Sequence, residues 1–257
     1  MALAVVTAAA LTACTGGEAD PAERPAPSGG VEGRTVDVRD ALQKAVEAVE
    51  QSDSVNVTMK HGPGGEEILM KGDLTLGDPV KAELITTGSG NQPITVRIID
   101  EMVFVEIPED DRAEMNGKSW MKMDPAGGEQ QGMEFNKEMA EVDPARQVTV
   151  LLATEGVTVV GEETLDGTPT VHYTVTTELS HYFEQVDAEL RRTVEGRLTE
   201  MGVKEVKIDL WVDEQHRPRR DRVVMDPVSD MTVDYTDYNK PVTVEIPPDA
   251  DTIDLAR

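Results

Sequence analysis

The chain holds one cysteine, so no disulfide can form within it. It is short of positive charge as well: 24 Lys and Arg stand against 50 Asp and Glu, a net charge of −26. A surface this acidic is repelled by phosphates, which excludes nucleic acid as a partner. It is repelled equally by anionic lipid headgroups, although acidic surfaces also simply keep proteins soluble. Aromatic residues make up only 4% of the chain, so few rings are available to fill space beneath a broad sheet, while Met is plentiful at 12 residues and adapts to irregular shapes.

Catalytic motifs are missing too. The histidines His61, His172, His181 and His216 show no metal-ligand spacing. His61 and His216 fall in expected turns, where solvated side chains are usual. Gly88-Ser89-Gly90 lacks the pattern of a nucleophile elbow. The composition points to no enzyme, no cofactor and no metal.

What is present begins with Cys14. Residues 1–13 are apolar apart from Thr7 and Thr12, and Leu11-Thr12-Ala13-Cys14 looks like a bacterial lipobox. The run falls short of the about 20 residues that a spanning helix needs. It fits the h-region of a cleaved signal peptide, except that no Lys or Arg precedes it, so the true start is expected upstream or the chain is trimmed. The competing reading is an alanine-rich buried helix with an incidental cysteine. On the lipobox reading Cys14 carries a diacylglyceryl anchor, and two acyl chains hold a protein stably where one does not. The protein would then be extracytoplasmic, moored to the outer face of the cell membrane. Residues 14–36, the lipidated cysteine and a stretch rich in Gly, Pro, Ala, Ser and Glu, read as a flexible linker. A single domain is expected over 37–257.

Val38, Ala41, Leu42, Ala45, Val46 and Val49 recur at helical spacing, so Val38 to Ser52 reads as a helix. The period then changes to two, with alternating segments at Val55–Met59, Ile68–Leu76, Val80–Leu84, Ile94–Ile98, Val103–Ile107 and Lys118–Met123. Phe135 to Ala140 reads as a helical turn or two. Pro144 opens a second helix with Val148, Leu151 and Leu152 inward. Strands follow at Val157–Gly161 and Val171–Val175, then a long helix over Leu179–Met201 stopped by Gly202. Val206–Val212, Arg219–Met225 and Met231–Tyr238 are further strands, and Val242 to Ile246 is an extended tail. The sum is an α+β fold of about ten strands and three helices. Short turns imply antiparallel pairing, and alternation implies one buried and one wet face. The expected architecture is a single strongly curved antiparallel sheet, a half-barrel, wrapped around amphipathic helices.

These segments resemble the actinobacterial LppX/LprG-type lipoproteins, which share a half-barrel with LolA-like carriers. The resemblance rests on Leu11 to Cys14, Ser54-Val55-Asn56-Val57 and Gly117-Lys118-Ser119-Trp120. It continues through Val160-Gly161-Glu162, Gly167 to Tyr173, Leu210-Trp211-Val212-Asp213, Pro218-Arg219-Arg220 and Asp237 to Val242. It implies an apolar cavity between sheet and helices that holds the acyl chains of a lipid or glycolipid and carries or presents them. It also leaves room for an envelope transporter as partner of a monomer. Candidate lining residues are Leu42, Val46, Met59, Met70, Leu74, Leu84, Val96, Val105, Ile208 and Leu210; for any single one of them ordinary core is the favoured reading. Arg220 and Arg222, within the basic tract Arg217 to Arg222, are candidates for an anionic headgroup, against the plainer reading that the tract balances Asp213, Glu214 and Asp221. The alternative function is a non-enzymatic interaction or sensing lipoprotein with a filled core that binds another envelope protein.

Overall fold

A computed structural model describes residues 37–62, 67–77, 79–87, 92–124, 142–184 and 188–255. Cys14, the signal segment, the linker and the helical turn read at 135–140 lie outside the described residues.

Among the described residues twelve strands form one curved sheet, rather than about ten. They are β1 (Ser54–His61), β2 (Glu67–Thr75), β3 (Ala82–Thr87), β4 (Pro93–Ile99), β5 (Met102–Glu106) and β6 (Trp120–Met123) in the first half. The second half supplies β7 (Thr158–Leu165), β8 (Thr168–Glu178), β9 (Glu205–Asp213), β10 (Pro218–Met225), β11 (Ser229–Thr236) and β12 (Thr252–Asp254). The order across the sheet is β12-β6-β5-β4-β3-β2-β1-β11-β10-β9-β8-β7. Neighbours pair antiparallel, except β12, which lies parallel to β6 with Ile253 opposite Met121. The short strand β12 had no signal in the sequence: Thr252-Ile253-Asp254 is too brief to show a period.

Among the described residues four α-helices accompany the sheet: α1 (Val38–Glu50), α2 (Pro144–Ala153), α3 (Leu179–Glu184) and α4 (Ala188–Glu200). The expected helix over Leu179–Met201 is thus two helices, with 185–187 outside the described residues. Each long helix starts and stops where its chemistry directs. The Asp37 carboxylate accepts from the backbone N–H groups of Arg39 and Asp40 at the head of α1. Asp143 does the same for Ala145 at the head of α2, with Pro144 in the first turn. Gly202, at φ +95°, closes α4.

The apolar stripe of α1 (Ala41, Leu42, Ala45) and that of α2 (Val148, Leu151) pack together over the inner face of β8, β9 and β10. Tyr173, Val175, Ile208, Leu210 and Val223 form that face, and Tyr182 and Phe183 of α3 close it. Burial falls off at the margins. Met201 is exposed because it lies beyond the last turn of α4, and Val159 is exposed because β7 is an edge strand.

Candidate functional site

Register pairing carries one apolar file across most of the sheet. Tyr235 of β11 stands opposite Val57 of β1, Val57 opposite Gly72 of β2, and Gly72 opposite Leu84 of β3. Leu84 is opposite Val96 of β4, Val96 opposite Val105 of β5, Val105 opposite Met121 of β6, and Met121 opposite Ile253 of β12. Beside it runs a second file: Val55, Leu74, Ala82, Ile98, Val103 and Met123. At the usual spacing of about 4.8 Å between strands, the seven steps of the first file cover about 34 Å. One leaflet of a bilayer's hydrocarbon core is about 15 Å deep, so a single acyl chain fits within that length.

Two small residues lower the floor of these files. A Cβ at Gly72 would lie 2.1 Å from the carbonyl oxygen of Glu83, so the β2–β3 approach requires glycine there. Ala82 adds a short side chain in the neighbouring file. Burial falls along the first file. Tyr235, Val57 and Leu84 are fully buried, whereas Val105, Met121 and Ile253 are half-buried.

The structure divides the candidate lining residues between two places. Leu42, Val46, Ile208 and Leu210 belong to the helix-clad cluster with Tyr173, Tyr182 and Phe183. Met59, Met70, Leu74 and Leu84 belong to a separate cluster with Val55, Val57, Val233 and Tyr235. Val96 and Val105 extend that second set outward along the file. Alternation had already placed Val55, Val57, Gly72, Ile98 and Val103 in strands; register alone shows which of them align.

Arg220 and Arg222 sit on the opposite, outer face. Arg220 Nε lies 2.5 Å from Asp234, which also takes Lys60, and Arg222 makes two bonds to Asp230 at 2.8 and 2.6 Å. Arg217 pairs with Asp213. The tract is therefore balanced by carboxylates, but largely from β11. Asp221 stands on the inner face, where alternation turns it. Burial would raise Asp234, but hydrogen bonds from Arg220 and Lys60 hold it below the ordinary carboxylate range. The Arg222 bonds do the same for Asp230.

The outer face also carries a cluster that spacing did not reveal. His172 stacks on Trp211 with ring centroids 4.1 Å apart. Its Nδ1 lies 2.9 Å from Glu163 and its Nε2 3.0 Å from Asp209, and Trp211 Nε1 donates to Glu163 at 2.7 Å. This ties edge strand β7 to β8 and β9. His61 ends β1 rather than lying in a turn, while His216 is exposed in the turn after β9. Among the described residues no group of His, Cys, Asp and Glu could hold a metal ion. An open groove of about 530 Å³ runs along α4 and is lined by Arg191, Glu195, Gly196, Thr199 and Glu200.

A sequence model described as LppX_LprAFG lipoprotein matches residues 37–244. The chain belongs to this lipoprotein family. Its fold is that of the lipoprotein LppX from Mycobacterium tuberculosis, with a TM-score of 0.54 at 16% identity over 81% of this chain and 98% of that one. LprF from Mycobacterium bovis gives a TM-score of 0.53 at 14% identity, over 82% of this chain and 96% of that one. A 31.2 kDa protein of Streptomyces griseus, encoded between rplA and rplJ, is 27% identical over 192 residues, covering 70% of this chain. The match spans 61% of that relative's length. Family membership confirms the resemblance read from the sequence and the curved-sheet architecture it implied.

Proposed function

We propose that this LppX_LprAFG lipoprotein binds an acyl chain of a lipid or glycolipid along the inner face of β1–β6 and carries or presents that lipid in the cell envelope, without catalysis. The observation that supports this most is the unbroken apolar file from Tyr235 to Ile253, with its glycine floor and its half-buried outer end. Removing a sixteen-carbon chain from water is worth about 12 kcal/mol at about 0.8 kcal/mol per methylene, enough to hold a lipid outside a membrane after the costs of ordering it. Tethering through Cys14, on the outer face of the cell membrane, would keep the loaded domain beside its source. The net charge of −26 would keep the body off anionic headgroups, leaving the anchor to do the holding.

The test is extraction of the purified protein followed by mass spectrometry of its organic phase. Acyl lipid at near one equivalent, lost when Leu84 or Val96 is replaced by Trp, supports the reading. An empty organic phase, together with no rise in melting temperature on adding any lipid, refutes it and leaves the interaction module with a filled core.

A further inference from the structure

The open sheet has two edges, and they differ. Strand β7 forms one, beside the helix-clad half. The other is β12, three residues long and parallel to β6 in a sheet whose other neighbours are antiparallel. Parallel pairing is slightly the weaker per residue, and short edge segments open at free energies well below that of the whole fold. Among the described strands β12 is therefore the most weakly held. It is also where the apolar file ends: Ile253 stands opposite Met121, and both are half-buried.

The chain reaches β12 by crossing the outer face. At the root, the Asn239 N–H donates to the Ser54 carbonyl at 2.9 Å, and the Asn239 side-chain oxygen accepts from the Asp53 N–H at 2.7 Å. From Pro241 to Pro248 the segment forms no ladder with any described strand, and Ile246 is 63% exposed. Its fastening on the way is Arg97, on the face of β4 opposite to Val96 and Ile98. Arg97 Nη1 donates to the Glu245 carbonyl at 3.0 Å. The same guanidinium bonds Glu83 of β3 at 2.7 Å and lies 4.8 Å over the Trp120 ring of β6. One side chain thus fixes the crossing over β3, β4 and β6. At the far end Lys118 Nζ donates to the Ala250 carbonyl, the Ser119 N–H to the Asp251 carbonyl at 3.0 Å, and the Leu255 N–H to the Lys122 carbonyl at 2.8 Å.

We propose that residues 241–255 are a strap that closes the outer end of the file, with Arg97 as its clasp, and that a lipid enters and leaves when β12 lifts from β6. This rests on the reading that the file holds an acyl chain. Closed, β12 adds Ile253 to the file and covers the edge of β6. Lifted, it bares Met121 and opens the file at its end, while the root at Ser54 stays in place. The opposite edge offers no such entrance, because β7 adjoins strands whose inner face is filled by Leu42, Leu151, Tyr182 and Phe183. The plainer role of a short edge strand is to cover its neighbour. A cover need not move for a ligand to exchange, whereas a gate must.

Lys122 and Asp254 stand directly opposite each other on the outer face, so a disulfide between Lys122→Cys and Asp254→Cys would hold the strap shut without entering the file. The experiment uses the full chain with Cys14→Ser, so that only this pair oxidises. It is loaded with a BODIPY-labelled hexadecanoic acid, and transfer of the dye to phosphatidylcholine vesicles is followed. Loading precedes oxidation, so both states start equally filled. Oxidation is expected to slow transfer about tenfold, and dithiothreitol to restore it. The chain ended after Ala250, and separately Arg97→Gln, should each transfer about threefold faster than the wild type. Should the cysteine variant fold poorly, these two carry the test. Equal transfer with the pair oxidised and reduced overturns the proposal and leaves β12 a cover for β6, while dye binding still supports the carrier reading. Slower or unchanged transfer from the shortened chain or from Arg97→Gln overturns it as well. No dye bound by the wild type removes the carrier reading and this proposal together.

Discussion

Strands β8–β10 and strands β1–β5 carry the same alternation of apolar and polar residues, yet their inner faces are built differently. The first set meets α1, α2 and α3, and its space is taken by Leu42, Leu151, Tyr173, Tyr182 and Phe183. The second set is floored by Val, Met and Leu around Gly72 and Ala82, and it grades from full burial at Leu84 to half burial at Val105 and Met121. Between them lies the Tyr235–Asp221 pair. Alternation makes a face apolar; what packs on it decides whether that face is core or a trough. In a well-packed interior there is little room for a ligand; the helix-clad half is the support and the other half is the proposed binding face.

The contrast has measurable consequences. The largest is at Gly72, where Gly72→Ala would drive a Cβ into the Glu83 carbonyl and the Leu84 backbone. A loss of about 4 kcal/mol or more, or failure to fold, is expected in denaturant titration. Next is a matched pair of Leu→Ala substitutions at two fully buried sites, Leu210 and Leu84. Leu210→Ala should cost about 4 kcal/mol, because rings and helices around it hold the cavity open. Leu84→Ala should cost about 2 kcal/mol, because no described helix residue belongs to its cluster and its surroundings close in more readily. Equal losses would remove the distinction between the halves. Tyr235→Phe, at the boundary, deprives buried Asp221 of a donor and should cost about 2 kcal/mol.

Acid should act next. For Asp209 burial works against ionisation, but hydrogen bonds from Lys207, Thr174 and His172 leave it below its ordinary value, as Asp230 and Asp234 also are. A carboxylate lowered in the folded state contributes stability above the unfolded value of about 4, and that contribution is lost as pH falls through the folded value. Melting temperature should therefore drop as pH falls below about 4, and Asp209→Asn should flatten the drop while loosening β8–β9. The smallest effect is at Arg222→Ala. That side chain is 36% exposed in its pair with Asp230, so the change should be about 0.5 kcal/mol and shrink with salt. Binding of a neutral acyl probe should not change, because Arg222 faces outward.

Much of this was legible in the sequence. The switch from helical to two-residue period after Ser52, the Gly202 stop and the clean alternation of Val206 to Val212 place elements directly. The eight strand residues among the lining candidates share the inner face of the sheet, because the period of a strand is strict. Their division into two clusters was not legible. It depends on β11 returning to pair with β1, a contact between distant segments that no local pattern encodes. The Arg tract was legible only in part: Asp213, a neighbour in sequence, does pair with Arg217, whereas Asp230 and Asp234 come from the next strand's register.

Photolabelling with a diazirine-bearing palmitate, followed by peptide mapping, tests the central claim most directly. The account predicts crosslinks confined to the inner face of β1–β6, at Met59, Met70, Leu84, Val96, Val105 or Met121, and suppressed by excess unlabelled lipid. Crosslinks spread over outer-face residues such as Lys60, Thr95 and Arg222, or concentrated on α1 and β9, would contradict it.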